Sequence, residues 1–405
     1  MLHSVTSEQK KPLLIIGFGM ATARLLNKLA ELKFQNPVIV VSREKQLGYN
    51  RIQLTPWLSG ERTDKELNLI NEAVWSILNL KIYALTDVTR LDTNAHTAYL
   101  SNGRSIPYSK AVIATGASPR MPSLDYYDQP AIRAFRTLND GYYLRNLNSG
   151  SHIAVLGAGL LGLEAAWGLR QLGHQVTLIQ SAGHVMNRQL NKPLAQLLET
   201  TYRQAGIQME LNTQIKSIES TPVLSSVQLS NGKQLKINCL VSAIGIEPSK
   251  KVAQNSNLDC QYGILINNRM QTSHKDVFAI GECAELNGHI FGLVAPAYEQ
   301  AEILAENLCG GDQTFAVSNM DTRLKISGLD VFSTGDIHNK EARILTLVDQ
   351  KNIRARTVHL SDNRIIGAEL IGDLSLASFY NELIQTQQPV SDATHALIGR
   401  ANNAA

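Results

Sequence analysis

The N-terminal part of the chain alternates short apolar runs with an amphipathic segment. The runs Pro12–Ile16 and Val38–Val41 predict two buried strands. Between them, leucines recur at helical spacing and predict a helix over Met20–Lys33. A strand, a helix and a second strand in this order are typical of a parallel βαβ unit.

The same pattern returns in the middle of the chain. Ile153–Leu156 and Val176–Ile179 predict strands, and Leu160–Leu172 predicts the helix between them, with Gly173 as its C-terminal cap. The two copies are separated by the length of a domain. This spacing favours two related domains over a short-period repeat.

The last part of the chain has a different pattern. Ile344–Val348 and Ile365–Leu370 predict strands, and Asp362-Asn363 predicts a turn just before the second of them. A helical pattern of apolar residues follows at Leu376, Phe379, Leu383 and Ile384. We therefore expect a small α+β segment at the C-terminal end of the sequence.

Composition limits the class of protein. Of 405 residues, 44% are hydrophobic and 18% are charged, which excludes disordered and fibrous classes and predicts two or three domains. The net charge is +3 and no basic run is present, which argues against nucleic acid as a partner. The polar N-terminal segment and the lack of a long apolar run predict a cytoplasmic protein that does not enter a membrane.

The cysteines and histidines show no spacing that is typical of metal or redox sites. Four cysteines, Cys239, Cys260, Cys283 and Cys309, lie far apart without a CxxC pair. The ten histidines show no HxH or HxxxH spacing. We therefore expect no metal site, no iron–sulfur cluster and no dithiol redox centre in this sequence.

The turn after the first predicted strand carries candidate chemistry. Gly17 and Gly19 follow the strand, and Met20 and Ala21 begin the helix. In such a unit the first glycine permits a tight turn and the second lets a pyrophosphate approach the backbone, where the helix N-terminus offers N–H groups and a positive dipole. Thr22 stands where a third glycine is usual, so we expect slightly wider packing here.

The second copy of this turn is complete. Gly157, Gly159 and Gly162 follow an apolar strand, and Leu160 begins the helix. With the strand and the helix in place, the pattern predicts a dinucleotide site. Two such sites in one chain fit an electron relay between a tightly held flavin dinucleotide and an exchangeable nicotinamide.

A carboxylate about twenty residues after the glycines is expected to bind ribose hydroxyls. In the first copy this residue is Glu44, with Arg43 as the alternative. In the second copy it is the neutral Gln180, and the nearest cations are His184 and Arg188. The sequence therefore leaves the choice between NADH and NADPH open.

Three further motifs resemble those of two-dinucleotide-binding flavoprotein reductases. The segment Ala114-Thr115-Gly116-Ala117-Ser118-Pro119-Arg120 is similar to their ATG motif, and Ser242–Pro248 is similar to the motif that closes their nicotinamide insert. The segment Asp276–Ala284 resembles their late flavin motif, in which a carboxylate holds the ribityl chain. Glu282 stands here where aspartate is commoner.

Finer motifs narrow the resemblance to the flavin module of assimilatory nitrite reductase large subunits. These motifs include Tyr49-Asn50-Arg51, Leu58–Glu61 and Phe291–Ala301. Rubredoxin reductases and the electron transfer subunits of nitrate assimilation are close relatives of that module. The resemblance covers almost the whole chain.

The resemblance implies an α/β fold with two Rossmann-like dinucleotide-binding domains, one for FAD and one for NAD(P)H, and a small α+β C-terminal domain. The implied FAD domain comprises residues 1–117 and 245–318, the NAD(P)H domain residues 118–244, and the C-terminal interface domain residues 319–405. The expected FAD and NAD(P)H contacts include the residues of both glycine loops. They are Gly17, Gly19, Met20, Ala21, Glu44, Arg51, Val88, Thr115, Gly116, Arg120, Gly157, Gly159, Leu160, Gly162, Gln180, Gly245, Gly281 and Glu282.

The resemblance also implies an activity, an FAD-dependent NAD(P)H oxidoreductase that serves a one-electron acceptor protein or subunit. Nitrate or nitrite assimilation is the expected context, and a rubredoxin or ferredoxin reductase is the alternative. A redox-responsive NAD(P)H-binding flavoprotein without steady turnover is an alternative of another class. Because no cysteine follows Cys309, we expect the chain to act as the electron-input part of such a system.

Glu164 is the expected catalytic residue, because relatives place a glutamate near the nicotinamide two positions after the third glycine. An ordinary carboxylate near a helix N-terminus is the alternative interpretation. The region from Ile52 to Glu61 contains no cysteine. This separates the chain from coenzyme A-disulfide reductases and water-forming NADH oxidases, which carry a redox cysteine there.

Overall fold

The computed structural model describes residues 10–122, 131–220, 225–316, 322–326 and 328–399. In chain order, the helices of the described residues are α1 (Met20–Glu31), α2 (Leu54–Leu58), α3 (Glu72–Ile77), α4 (Leu138–Arg145), α5 (Leu160–Gln171), α6 (Lys192–Gln204), α7 (Lys251–Gln254), α8 (Val294–Leu308), α9 (Ala377–Thr386) and α10 (Ala393–Leu397). The strands are β1 (Leu13–Ile16), β2 (Val38–Val41), β3 (Leu80–Tyr83), β4 (Val88–Asp92), β5 (Thr97–Leu100), β6 (Ser105–Pro107), β7 (Lys110–Ile113), β8 (Ala117–Pro119), β9 (Ile132–Ala134), β10 (His152–Leu156), β11 (Gln175–Ile179), β12 (Gln208–Glu210), β13 (Ile215–Ser220), β14 (Ser225–Leu229), β15 (Gln234–Ile237), β16 (Cys239–Ser242), β17 (Ile246–Pro248), β18 (Ile264–Leu265), β19 (Val277–Ala279), β20 (Ala284–Leu286), β21 (His289–Ile290), β22 (Thr322–Ile326), β23 (Leu329–Gly335), β24 (Arg343–Asp349), β25 (Arg354–Ser361) and β26 (Arg364–Ile371).

The first of two compact units comprises Met1–Leu54, Arg62–Ser118 and Ile246–Ala316. Its centre is a parallel sheet with the strand order β19-β7-β1-β2-β3. The strands β1 and β2 are buried apolar runs, and α1 packs Leu25, Leu26 and Leu29 into the same core. Three-stranded sheets β4-β5-β6 and β18-β20-β21 complete this unit. The α/β fold and the first predicted βαβ unit are confirmed.

Helix α1 ends two residues earlier than predicted. Lys33 adopts a positive φ of 53°, and the N–H groups of Lys33 and Phe34 bond back to the carbonyls of Ala30 and Leu29. Such a left-handed residue closes the last turn and satisfies carbonyls that would otherwise lack partners. A lysine at this position gives no glycine signal, so the leucine pattern alone extended the helix.

The second unit comprises Thr55–Glu61, Pro119–Gly245 and Val317–Ala405. Its parallel sheet has the strand order β12-β11-β10-β16-β9, and α5 connects β10 to β11 as predicted. Gly173 has φ +85°, and its N–H bonds to the carbonyl of Arg170, which confirms the predicted cap. Trp57 is fully buried in this unit, with its ring 5.0 Å from that of Tyr142 in an edge-to-face contact.

The C-terminal part of the second unit is an antiparallel sheet with the order β22-β23-β26-β25-β24. Helices α9 and α10 contribute to its apolar core, in which Phe332, Leu370 and Tyr380 are buried. Asp362 and Asn363 both have positive φ and form the predicted two-residue turn between β25 and β26. The strands β22, β23 and β25 were not predicted.

Candidate functional site

The first glycine of each loop makes a tight turn that only glycine accommodates. Gly17 has φ +103°, and Gly157 has φ +100°. A Cβ at Gly17 would collide with the carbonyl of Ala114, and a Cβ at Gly157 would lie 2.6 Å from the carbonyl oxygen of Ala243. Both loops therefore pass directly over the end of a neighbouring strand, each within its own unit.

The second glycine of each loop faces open space instead. No described atom lies within 4 Å of the position that a Cβ would take at Gly19 or at Gly159. Each of these glycines is the N-cap of its helix and offers no side-chain cap to the first N–H groups. The helices that begin at Met20 and Leu160 thus present N–H groups that have no partner among the described residues, beside an open space, which fits the phosphates of a dinucleotide.

The third position shows how the two loops differ. A Cβ at Gly162 would collide with the carbonyl of Gly157, so glycine is required where α5 crosses its strand. In the first unit Thr22 is fully buried at this position, and its hydroxyl donates a 2.8 Å hydrogen bond to the carbonyl of Gly17. The first unit therefore has a threonine at the third position, hydrogen-bonded to the loop that it follows.

The predicted ribose carboxylate of the first unit is part of a small charged cluster. Glu44 accepts hydrogen bonds from the Arg51 guanidinium and from the Tyr49 hydroxyl, the latter at 2.8 Å. The Arg51 guanidinium also lies 4.9 Å from the centre of the Tyr49 ring. The structure thus joins Glu44 and Arg51, whereas the alternative residue Arg43 is exposed.

The ATG segment and the late flavin motif meet near the end of the first-unit sheet. The Thr115 hydroxyl donates a 2.6 Å hydrogen bond to the carbonyl of Ser249. Gly116 has φ +63°, and a Cβ there would lie 3.9 Å from a carboxylate oxygen of Glu282. Gly281 lies close to Ala21, since a Cβ on it would be 3.3 Å from the Ala21 side chain.

Gln300 on α8 is a residue that the sequence motifs did not single out. Its side-chain oxygen accepts a 2.8 Å hydrogen bond from the N–H of Gly281, and its amide nitrogen is buried without a partner among the described residues. A glutamine on the otherwise apolar buried face of α8 was the available signal. Val88, in contrast, is buried at the start of β4, and no hydrogen bond among the described residues joins it to the other candidates.

Gln180 closes the loop of the second unit from the side. Its side-chain oxygen accepts a 3.1 Å hydrogen bond from the N–H of Ala158, and its amide donates at 3.0 Å to the side-chain oxygen of Asn187. Asn187 was not predicted, because no motif marks it. A cavity of about 280 Å³ lies beside this contact, and Gly157, Gln180, Ser181 and Ile244 are among its lining residues.

The segment between β11 and α6 is fixed in its middle and at its end. Its middle is tied to the glycine loop, because the N–H of Met186 bonds to the carbonyl of Ala158 at 2.9 Å. Its end is tied to the C-terminal sheet, because the N–H of Asn191 bonds to the carboxylate of Glu369 at 2.6 Å and its side-chain amide bonds to Thr357 at 3.0 Å. Glu369 is fully buried and is also 2.7 Å from the ring of His359.

Arg120 and Gly245 lie together in the second unit. The N–H of Arg120 donates a 2.9 Å hydrogen bond to the carbonyl of Gly245, and its own carbonyl accepts one from the Ser242 hydroxyl at 2.8 Å. Gly245 has φ +113°, a conformation that glycine adopts readily. The structure therefore joins these two predicted positions through their backbones.

Glu164 lies on α5, two residues after Gly162, and is half-buried. Burial raises the pKa of its carboxyl to about 7. Among the described residues no hydrogen bond or ion pair of this carboxylate is present. A carboxyl whose pKa is raised toward neutrality by burial is a candidate for a functional role.

The cysteines and metal-binding residue types form no redox or metal centre among the described residues. All four cysteines are free thiols, and no group of three or more His, Cys, Asp or Glu residues in the described ranges could hold a metal ion. Cys283 is fully buried next to Glu282, and burial raises the pKa of its thiol. No helix within the described part of the chain is long and apolar enough to cross a membrane.

Comparison with known families gives two matches that cover most of the chain. Residues 11–301 match the model of the pyridine nucleotide-disulphide oxidoreductase family. Residues 321–388 match the model of the rubredoxin NAD+ reductase C-terminal domain.

Comparison with curated proteins and solved structures finds relatives that align with nearly the full length of this chain. The chain is 32% identical to a nitrite reductase [NAD(P)H] of Bacillus subtilis (strain 168), over 95% of this chain and 48% of that protein. It is 31% identical to the assimilatory nitrate reductase electron transfer subunit of the same organism, over 96% of this chain and 51% of that protein. The chain thus spans about half the length of these relatives. The putidaredoxin reductase of a covalent complex with putidaredoxin has the same fold, with a TM-score of 0.83 at 23% identity over 96% of this chain and 97% of that one.

Proposed function

Because the chain belongs to the pyridine nucleotide-disulphide oxidoreductase family, we propose that it is an FAD-dependent NAD(P)H oxidoreductase that passes electrons to an external redox partner. The observation that carries this proposal is the pair of glycine loops, one in each compact unit, with the same turn at Gly17 and Gly157 and the same open space at Gly19 and Gly159. Two such loops serve two dinucleotides. When bound, the nicotinamide supplies a hydride and the flavin splits the electron pair for a one-electron acceptor.

The proposal assigns FAD to residues 1–117 and 245–318 and NAD(P)H to residues 118–244, with residues 319–405 as the C-terminal interface domain. In the first unit, the N–H groups at Met20 and Ala21 bind the FAD pyrophosphate and Glu44 accepts hydrogen bonds from its ribose. The cluster of Glu44, Tyr49 and Arg51 supports this, because Arg51 holds the carboxylate in place. The residues proposed to contact the flavin are Thr115, Gly116, Gly281 and Glu282. Val88 is proposed as a further FAD contact.

In the second unit, Gly157, Gly159, Leu160 and Gly162 cradle the NAD(P)H pyrophosphate. Gln180 is proposed to lie at the adenosine ribose, which is supported by the cavity of about 280 Å³ that it lines. Arg120 and Gly245 border the nicotinamide side of the same domain. Glu164 orients the nicotinamide, and the raised pKa of its carboxyl supports a position that becomes shielded from water.

The acceptor is proposed to be a component of nitrate or nitrite assimilation. Support comes from the two Bacillus subtilis relatives, which match this chain over nearly its whole length. A rubredoxin or ferredoxin reductase is the second candidate, supported by the match of residues 321–388 to the rubredoxin NAD+ reductase C-terminal domain. A cytoplasmic location belongs to the same proposal.

Steady-state kinetics with an artificial acceptor test this proposal. The FAD-loaded protein should oxidise NADH or NADPH continuously in the presence of ferricyanide, because the chain needs no internal disulfide to return to its oxidised state. A protein that binds NAD(P)H but stops after one reduction would instead be a redox-responsive binding protein. Assays with a rubredoxin and with a nitrate or nitrite reductase component then distinguish the two acceptor classes.

A further inference from the structure

Helix α8 carries a fully buried amide that packing alone does not explain. Gln300 has no exposed surface, and the other buried residues of α8 are apolar. Its side-chain oxygen accepts a 2.8 Å hydrogen bond from the N–H of Gly281, whereas its amide nitrogen has no partner among the described residues. Burying an amide that is only half bonded costs free energy that an apolar side chain would not cost. The bond to Gly281 is therefore the feature that distinguishes glutamine from leucine at this position.

This hydrogen bond caps a turn that carries a proposed FAD contact. Gly281–Cys283 form a short 3-10 turn, and Ile280 at its N-cap has an apolar side chain that supplies no cap. The Gly281 N–H is buried at the start of this turn, where helical N–H groups have no acceptor within the helix itself. Gln300 supplies the acceptor from α8. Because an amide accepts only through its oxygen, the bond also fixes the orientation of the Gln300 side chain.

The capped turn lies between the two loops of the first unit that are proposed to meet FAD. Glu282 is its middle residue, and one of its carboxylate oxygens is 3.9 Å from the position that a Cβ would take at Gly116. On the other side, a Cβ at Gly281 would lie 3.3 Å from the side chain of Ala21 in the first turn of α1. A shift of this turn would therefore displace the Glu282 carboxylate relative to both loops.

Helix α8 gives Gln300 a fixed base. Arg24 of α1 forms an ion pair with Glu302 of α8, and Lys28 forms a second one with Glu306 at 3.3 Å. Both pairs lie in the turns of α8 that follow Gln300. Because α8 is held against α1 in this way, a hydrogen bond from its buried face can hold the Gly281 turn in a defined place.

We propose that Gln300 is a positioning residue for FAD, which caps the Gly281–Cys283 turn from α8 and thereby holds the Glu282 carboxylate in the FAD site. Since its side chain is fully buried, Gln300 acts through Gly281 and does not touch the cofactor itself. The inference rests on the proposed function and deepens it, because it names the residue that fixes one of the proposed FAD contacts.

The dissociation constant of FAD tests this role, measured by the change in flavin fluorescence as apoprotein is added. Gln300→Met keeps the length of the side chain and loses the acceptor, so the Kd for FAD should rise about tenfold, the effect of one lost buried hydrogen bond. The matched control is Leu304→Ala, one turn further along the same buried face. It should lower the melting temperature of the apoprotein and leave the Kd unchanged. An unchanged Kd in Gln300→Met, or an equal rise in Leu304→Ala, would overturn the proposal.

A double-mutant cycle tests whether Gln300 acts through Glu282. Glu282→Ala removes the carboxylate that the turn holds in place, so Gln300→Met should weaken FAD binding little further when it is added to Glu282→Ala. Fully additive effects of the two substitutions on the free energy of FAD binding would show that Gln300 acts elsewhere, and would also overturn the proposal.

Gln300→Glu gives a rescue experiment in mildly acidic buffer. Burial keeps the new carboxyl neutral there, and its C=O can accept the same hydrogen bond from Gly281. The Kd for FAD should then lie near that of the unsubstituted protein, and a Kd as weak as that of Gln300→Met would contradict the proposal. These outcomes refute the role of Gln300 alone, whereas an unsubstituted apoprotein that binds no FAD would refute the proposed function and this inference with it.

Discussion

The carboxylate of Glu369 accepts a 2.6 Å hydrogen bond from the backbone N–H of Asn191, although 178 positions separate the two residues. Asn191 caps α6, and the segment before it contains Asn187, which bonds to Gln180. The C-terminal sheet therefore holds the segment that borders the proposed coenzyme ribose. Because the Glu369 carboxylate is buried and hydrogen-bonded to both Asn191 and His359, it holds this segment more firmly than hydrogen bonds exposed to water would.

Loss of the Glu369 carboxylate should weaken both folding and coenzyme binding. Glu369→Ala leaves the Asn191 N–H and the ring of His359 buried without their partner, and each unpaired group costs about 1–3 kcal/mol. The melting temperature should fall, and the KM for NAD(P)H should rise more than kcat falls. Thermal melts and steady-state kinetics measure this, with Glu382→Ala on the exposed side of α9 as the control. An unchanged KM in a folded Glu369→Ala protein would separate the C-terminal sheet from the coenzyme site.

Alanine substitutions at two glycines of the second loop should have different effects, one on stability and the other on coenzyme binding. At Gly162 a Cβ would collide with the carbonyl of Gly157, so Gly162→Ala should destabilise the protein by about 1–3 kcal/mol. At Gly159 no described atom lies within 4 Å of a Cβ, so Gly159→Ala should leave the melting temperature unchanged. The added methyl should instead occupy the space of the pyrophosphate and raise the KM for NAD(P)H. Equal effects of the two substitutions on stability would contradict this description of the loop.

The loops themselves were predictable from the sequence, whereas their side-chain contacts were not. Strand, glycines and helix are adjacent in the chain, so the βαβ units at Gly17 and Gly157 follow from local pattern. The bond from Thr22 to the Gly17 carbonyl depends on a rotamer, and the bond between Asn191 and Glu369 depends on how distant segments pack. Neither of these hydrogen bonds leaves a periodic pattern in the sequence.

Glu164 should make stability depend on pH. The pKa of its carboxyl rises from the ordinary value of 4.5 to about 7 in the folded state, so the folded protein disfavours the ionised form. The resulting loss of folding stability is absent at pH values below 4.5. It grows as the pH rises toward about 7 and is complete above that pH. Glu164→Gln should therefore raise the melting temperature above neutral pH and have no effect in acid. The melting temperatures of Glu164→Gln and of the unsubstituted protein, measured from acid to above neutral pH, test this, with Glu382→Gln as the control. A difference in melting temperature that does not vary with pH would contradict the assignment.

Gln180 should control coenzyme choice. Glutamine permits NADH and does not repel the 2′-phosphate of NADPH, so we expect a modest preference for NADH or the use of both. Gln180→Glu should sharpen the preference for NADH by roughly tenfold, because hydrogen bonds to charged groups are worth about 1.5–3 kcal/mol. The ratio of kcat/KM for the two coenzymes measures this, with the exposed Gln204→Glu as the control. An unchanged ratio would mean that Gln180 does not lie at the ribose.

In the proposed function, one chain holds a flavin and a nicotinamide that exchange electrons. An anaerobic titration of the FAD-loaded protein with NADH, monitored by absorbance in the visible flavin band, tests this exchange most directly. We expect a yellow protein whose flavin band disappears with one equivalent of NADH and returns when ferricyanide is added. A protein that remains colourless with FAD, or whose flavin band neither NADH nor NADPH diminishes, would contradict it.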